Sequence, residues 1–477
     1  MTASRQGKNQ VFFGTFIHAK KLGELEYLHN AAVCVDASGK IVAIEVNCNQ
    51  QKAVETLYAT LGWGLDSVAI SVARDGWQFF FPGFIDTHVH ASQYPNIGVF
   101  GKSTLLDWLN TYTFPMEASL SSLQKARRVY TRCIRRTLAH GTTTAAYYAT
   151  RDVDATNLLA DLCYSMGQRA FVGRVCMDHL GPDYYIDESP EHAVAAARAN
   201  IEHIRSIDSN FELVSPIITP RFAPACSAEM MSGLSELQRQ TQLPMQTHIS
   251  ENANEVELVQ ELFPDSKSYA DVYDTYGILT EKMVLAHAVH LTEEEADLIA
   301  ERKAKIAHCP CSNSALTSGV AHVRWLLEKG IQVGLGTDMS GGYSPSILEA
   351  ARQAKLVSNH LTLPGGQLND LSQEEREKAK LGVEDVLYLA TKGGAEVLGL
   401  ADSVGVFEVG MQWDAQLIDL GTVPEEVAEN DQVIHGNVDI FGWEKWDERV
   451  AKWVFNGDDR NTKKVWVKGR LVHVQSY

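Results

Sequence analysis

Between residues 79 and 337 the chain repeats one pattern, a short apolar run followed by a longer stretch whose apolar positions recur every three to four residues. The runs are FFFPGFID (79–86), TTTAAYYA (142–149), RAFVGRVCM (169–177), ELVSPIIT (212–219), PMQTHI (244–249), MVLAHA (283–288), AKIAHC (304–309) and QVGLGT (332–337). Runs of this length predict strands, and the stretches at 121–139, 154–166, 189–206, 227–241, 292–302 and 319–329 predict amphipathic helices. Parallel neighbours need crossover connections, and strands covered on both faces read as continuous apolar runs. Eight strands alternating with helices therefore predict an α/β fold of the (β/α)8 TIM-barrel type.

Both ends of the chain read differently. In residues 10–46, AAVCV and KIVAIEV are short strands joined by the turn DASG, and 405–419 and 462–474 carry similar strands punctuated by Gly and Asp. These segments predict a small β-sandwich domain assembled from residues 1–76 and 401–477, around a barrel at 77–400.

Charge narrows the partners. There are 42 Lys and Arg against 60 Asp and Glu, a net charge of −18. A nucleic-acid backbone or an anionic membrane surface calls for a basic footprint, so neither is expected. MTASRQGKNQ has no apolar leader segment and no stretch approaches a membrane span, which makes a cytoplasmic location the expectation. Eight cysteines without a C-x-x-C pair suit a reduced compartment, and Cys309 and Cys311 read as packing residues. The H-x-E and P-C-x-x-C pattern of the cytidine-type zinc deaminases is absent.

In PGFIDTHVH (82–90) an apolar run ends in an acid and two histidines one residue apart. Alternate side chains of a strand share a side, so His88 and His90 project together. Barrel active sites lie at the C-terminal ends of the strands. The other chemical residues at those ends are Arg221 and Phe222 after the fourth strand, His248 in the fifth, His287 in the sixth and Asp338 after the eighth. Three histidines and a carboxylate on one rim form a donor set for Zn²⁺ or Fe²⁺. His287 taken singly fits a bond to a loop carbonyl, and His308, before Cys309 and Pro310, reads as a structural corner. Glu251 in HISE stands just past His248, where it suits either a proton carrier or the start of the helix NEVELVQEL.

These residues resemble the amidohydrolase superfamily of metal-dependent hydrolases, on PGFIDTHVH, HISE, LAHAV, AHCPCSN, GLGTD and VGVFEVGMQWDAQLIDL in that order. The longer stretches HASQYPN, LLDWLNTYTFPMEA, RRTLAHGTTTAAYYAT, GQRAFVGRVCMD and ITPRFAPACS resemble the branch of that superfamily that deaminates guanine in purine catabolism. The resemblance implies one Zn²⁺ held by His88, His90, His248 and Asp338, with Glu251, His287 and Asp338 catalytic. It implies a substrate pocket of His90, Ala91, Ser92, Gln93, Arg221, Phe222, His248, Glu251 and Asp338, and a cytosolic homodimer. Cys311 stands where the superfamily usually has Asn, and the fourth run offers no lysine to bridge a second metal. Two other classes share parts of this pattern: a superfamily member acting on a different aromatic amine, and a non-catalytic scaffold.

Overall fold

The computed structural model describes residues 8–49, 55, 61–63, 68–102, 104–368, 372–424 and 436–475. Its parallel strands form two four-stranded arrays. In one the order is Val214–Pro216, Arg169–Gly173, Thr142–Tyr148, Phe84–His90; in the other it is Met245–Ile249, Met283–His287, Lys305–His308, Val333–Leu335. A parallel bridge between Ile218 and Met245 links the arrays on one side. On the other, the Asp338 N–H donates to the His88 carbonyl at 2.9 Å and the His90 N–H to that of Met339 at 3.1 Å. The third and fourth runs are each broken, leaving Val175–Cys176 and Thr219–Pro220 as a separate two-stranded pair. Pro216 and Pro220 bring no N–H to a ladder, so this part of the sheet cannot be continuous.

The expected strand 79–86 is two strands. Gln78–Pro82 pairs antiparallel with Ala415–Asp419, and only Phe84–His90 joins the parallel array. The switch falls at Gly83, where a Cβ would lie 2.1 Å from the Thr143 hydroxyl. That packing partner is 60 residues away, and the local apolar run gives no hint of it. Period-two alternation then sorts the three phenylalanines. Phe80 packs with Phe12, Phe16, Trp413 and Trp466, while Phe79 and Phe81 contact Trp453 on the other face.

The outer strands, drawn from both ends of the chain, belong to one eight-stranded hydrogen-bonded sheet. Its path runs Arg470–Val474, Thr462–Val467, Ala415–Asp419, Gln78–Pro82, Asn9–Lys21, Glu24–Val35, Ile41–Glu45, with Val68–Val72 branching from Asn9–Lys21. The first two strands are 13 and 12 residues long, longer than expected. Asn9–Lys21 has three neighbours: Glu24–Val35 along one edge, then Val68–Val72 beside residues 9–13 and Gln78–Pro82 at Phe16 on the other; between them, Gly14 has a φ of +143° and a closeness to Ala73 that exclude a side chain.

The helix expected at 319–329 is only Val323–Glu328. The preceding loop is held elsewhere: His290 Nε2–H donates to the Ser318 carbonyl at 2.7 Å. Helices Ile347–His360 and Trp446–Asn456 were not foreseen. Among the described residues no helix is long and apolar enough to cross a membrane, and all eight cysteines are free.

Candidate active site

Strand Phe84–His90 is buried along its whole length, and its polar residues divide between two tasks. Thr87 donates its hydroxyl to the Leu335 carbonyl at 2.8 Å. The Asp86 carboxyl accepts the N–H groups of His88 and Thr337 at 3.2 and 3.0 Å and the Thr337 hydroxyl at 2.6 Å. Asp86 is therefore a brace between the first strand and the exit of the last. Sequence reasoning had assigned it no task.

The remaining two, His88 and His90, converge with His248 and Asp338. Nε2 of His90 lies 3.2 Å from that of His88 and 3.3 Å from that of His248. Asp338 Oδ1 is 3.2 Å from both His88 Nε2 and His90 Nε2. Burial lowers His88 to about 4 and His248 well below the usual imidazole range, so both present neutral rings. Burial alone would raise Asp338, but its contacts with His88 and His90 hold it well below the usual carboxylate range. Lone pairs and a carboxylate crowded at this spacing repel one another unless a cation lies between them. Edges of this size belong to a tetrahedron with its centre about 2.0 Å from each corner, the range of protein zinc ligands. The four residues thus fit one metal ion.

Outer contacts fix the rings. His248 Nδ1–H donates to the Arg221 carbonyl at 2.6 Å, which leaves Nε2 as the free lone pair. His287 Nδ1–H donates to Asn313 Oδ1 at 2.9 Å, so a side-chain amide takes the place of the loop carbonyl. Its Nε2 faces Glu251 Oε2 at 3.4 Å and Asp338 Oδ2 at 3.8 Å. Ser250, His287, Ala288 and Asp338 all have φ between +43° and +76°. Such conformations cost of order 1–3 kcal/mol each for non-glycine residues, and they cluster at functional sites.

The two readings of Glu251 separate here. Asn252 caps the helix Ala253–Leu262, and Glu255 completes the capping box, its Oε2 accepting the N–H groups of Glu251 and Asn252 at 2.9 and 3.2 Å. Glu251 is left with its side chain on the metal side, near Ser318 Oγ at 3.4 Å. Burial, then the charges of Asp338 and Glu255, push its carboxyl well above the usual range.

A narrow recess opens over this cluster, with room inside for about 30 Å³ of water-sized volume. His90, Gln93, Arg221, Phe222, His248, Glu251 and Asp338 line it, with Leu105, Trp108, Leu109 and Leu316 as apolar wall. Ala91 and Ser92 are not among the lining residues. Ala91 packs into an apolar cluster with Leu120 and Tyr130, and the Ser92 hydroxyl goes to the Ala149 carbonyl at 2.9 Å. Arg221 does not enter as a free cation, because Glu117 takes Nη1 at 2.7 Å and Nη2 at 3.3 Å. Sequence reasoning missed Glu117, although it lies in LLDWLNTYTFPMEA. An acid among aromatic and aliphatic residues was the available signal.

His308 is packed as expected, yet neither ring nitrogen has a partner among the described residues. Cys311 is buried in the apolar core. The Cys309 thiol donates to the Ala307 carbonyl at 3.4 Å and lies in reach of His88 and His287.

Residues 79–472 match the model of the Amidohydrolase family. The chain is 48% identical over 462 residues to a probable guanine deaminase of Schizosaccharomyces pombe, covering 97% of this chain and 83% of the relative. It is 40% identical over 464 residues to the guanine deaminase of Homo sapiens, covering 97% and 96%. The crystal structure of guanine deaminase from C. acetobutylicum, with guanine bound in the active site, superposes with a TM-score of 0.83 at 31% identity, covering 98% of this chain and all of that one.

Proposed function

This chain belongs to the amidohydrolase family, and on that premise we propose that it hydrolyses guanine to xanthine and ammonia with one zinc ion per chain. The observation that carries the reading is the recess, where Glu251 and a cluster of four residues fit for one metal ion face Gln93 and Arg221 between apolar walls. The solved relative holds guanine in its active site, and relatives named as guanine deaminases match nearly the whole chain. We read the two parallel arrays as halves of a (β/α)8 barrel, with residues 1–76 and 401–477, joined by strand Gln78–Pro82, forming the small β domain. The family resemblance supports a cytosolic homodimer.

His88, His90, His248 and Asp338 would hold the ion, which when bound lowers the pKa of water from ~15.7 toward ~7. Asp338, kept ionised by its histidine contacts, takes the proton of the attacking water. The water oxygen adds at C2 of guanine. Glu251 gives its proton to ring N3, so charge does not accumulate on the ring, then takes the proton of the hydroxyl added at C2 and passes it to the departing amine, and the proton held on Asp338 returns to Glu251. His287, its Nδ1–H tied to Asn313, turns Nε2 toward the gap between Glu251 and Asp338. Leu105, Trp108, Leu109 and Leu316 exclude bulk water. The sum is guanine plus water giving xanthine plus ammonia.

The test is ammonia and xanthine formation from guanine by purified protein of known metal content. Activity that scales with one equivalent of zinc is expected. Fully metallated protein that releases no ammonia from guanine overturns the reading.

A further inference from the structure

Glu117 is fully buried, lies outside the lining of the recess, and saturates both its oxygens. Oε1 accepts from Gln93 Nε2 at 2.8 Å and Arg221 Nη2 at 3.3 Å. Oε2 accepts from Arg221 Nη1 and from the Tyr185 hydroxyl, each at 2.7 Å. The two side chains facing the substrate are thus held by one carboxylate. We propose that Glu117 is the positioning residue that fixes the hydrogen-bond polarity of the purine pocket and thereby selects a lactam edge, a ring C=O beside a ring N–H. This proposal rests on the reading of the site as a guanine deaminase.

The argument is one of donors and acceptors. A glutamine amide can be flipped, exchanging its donor and its acceptor. Flipping Gln93 would set Oε1 against the Glu117 carboxylate, acceptor against acceptor, so Glu117 forbids it. With Nε2 bound to Glu117, Oε1 remains to accept a substrate N–H, and among the described residues it is approached by the Ser340 N–H at 3.4 Å. Arg221 has five N–H donors, of which the Glu117 fork takes two. Nη1 also reaches Met177 Sδ at 4.0 Å, so the Nε–H and the second Nη2 hydrogen remain to donate, and the guanidinium is further confined over the Phe114 ring, 5.0 Å from its centroid. One donor beside one acceptor, in that order, complements O6 and N1–H of guanine. Adenine presents the reverse, an amine donor beside a ring lone pair, and 2-aminopurine lacks both the oxygen and the N–H. The Arg221–Glu117 pair itself carries no net charge, which suits an uncharged base.

The experiment compares guanine with 2-aminopurine on wild-type protein and Glu117→Gln, with zinc content measured on each. A neutral amide at 117 can donate to Gln93 Oε1, so the flip is no longer forbidden. Bonds to charged groups are strong enough that their loss costs roughly 10- to 100-fold. The variant should lose about that factor in kcat/KM on guanine, mainly through KM, and less than about threefold on 2-aminopurine, with zinc retained. Equal losses on both substrates, or an unchanged preference, overturn the proposal. If Glu117→Gln does not fold, Tyr185→Phe removes one bond to Glu117 while touching neither Gln93 nor Arg221, and its guanine preference should fall about threefold; an unchanged preference there overturns the proposal equally. Wild-type protein inactive on guanine would instead refute the deaminase reading beneath it.

Discussion

Replacing Glu251 by Gln isolates proton transfer from everything else at the site. The substitution keeps the shape of the side chain, and the backbone N–H stays bound to Glu255. The side-chain neighbours of the carboxyl are weak partners, His287 Nε2 and Ser318 Oγ both at 3.4 Å, so little binding energy is at stake. What disappears is a proton held ready by burial beside the Asp338 charge. A positioned general acid contributes ~10²–10⁴-fold, which is roughly 2.7–5.4 kcal/mol of barrier. Two transfers pass through this one carboxyl, so the upper half of that range is expected. Steady-state ammonia release should show kcat down by at least ~10³ while KM changes less than about fivefold. Metal analysis should still give one ion per chain. Ser318→Ala, which removes only the neighbouring hydroxyl, should cost about fivefold or less. A fully metallated Glu251→Gln protein that keeps a tenth of wild-type turnover would refute the assignment.

Three other perturbations test the scaffold. Asp86→Asn should weaken metal affinity about 10- to 100-fold in chelator competition while the protein stays folded, because Asp86 orients the backbone of His88 and Thr337 rather than the ion. Gly83→Ala should lower stability by about 1–3 kcal/mol in denaturant titrations, since Thr143 is 1% exposed and has nowhere to move; Thr143→Gly in the same chain should restore much of it, and no rescue would argue against that contact. Burial lowers the pKa of His18 from 6.5 to about 4, while its Nδ1 accepts the Phe407 N–H. The unfolded chain therefore takes up this proton first, and stability falls as pH drops from 6.5 toward 4, by up to roughly 3 kcal/mol. His18→Gln should flatten thermal unfolding across that window, and identical slopes would dismiss the effect.

The clustering of His88, His90, His248 and Asp338 was legible because neighbouring parallel strands bring their end residues together. A histidine or aspartate at a strand end needs only the strand to be found, and His88, His90, His248 and Asp338 were each found that way. Glu117 was not, because no periodicity separates it from the aromatic stretch around it, and its role depends on Arg221 arriving from a residue 104 positions away. The continuous strand expected at 79–86 failed for a related reason. Its apolar character is real on both sides of Gly83, but the two halves meet different sheets, and the side chain that divides them is Thr143. Ala91 and Ser92 show the opposite error, since adjacency to His90 in the chain did not bring them to the recess. Local pattern gave the elements and their chemistry; contacts between distant segments decided which side chains reach the substrate.

The eight-stranded outer sheet also sets a timetable for the newborn protein. Strand Gln78–Pro82 lies between Asn9–Lys21 and Ala415–Asp419, so its second edge is supplied by chain made roughly 330 residues later (82 to 415). At ~5–20 residues per second that is a wait of roughly 15–70 s on the ribosome. For that interval Phe80 lacks Trp413 and Trp466, and Phe79 and Phe81 lack Trp453. The nascent chain thus presents an uncovered aromatic row immediately before the strand that carries His88 and His90. His88 and His90 are thus anchored by nearly the last strands to emerge, so a chain stalled or cut before residue 415 would leave their strand without its footing.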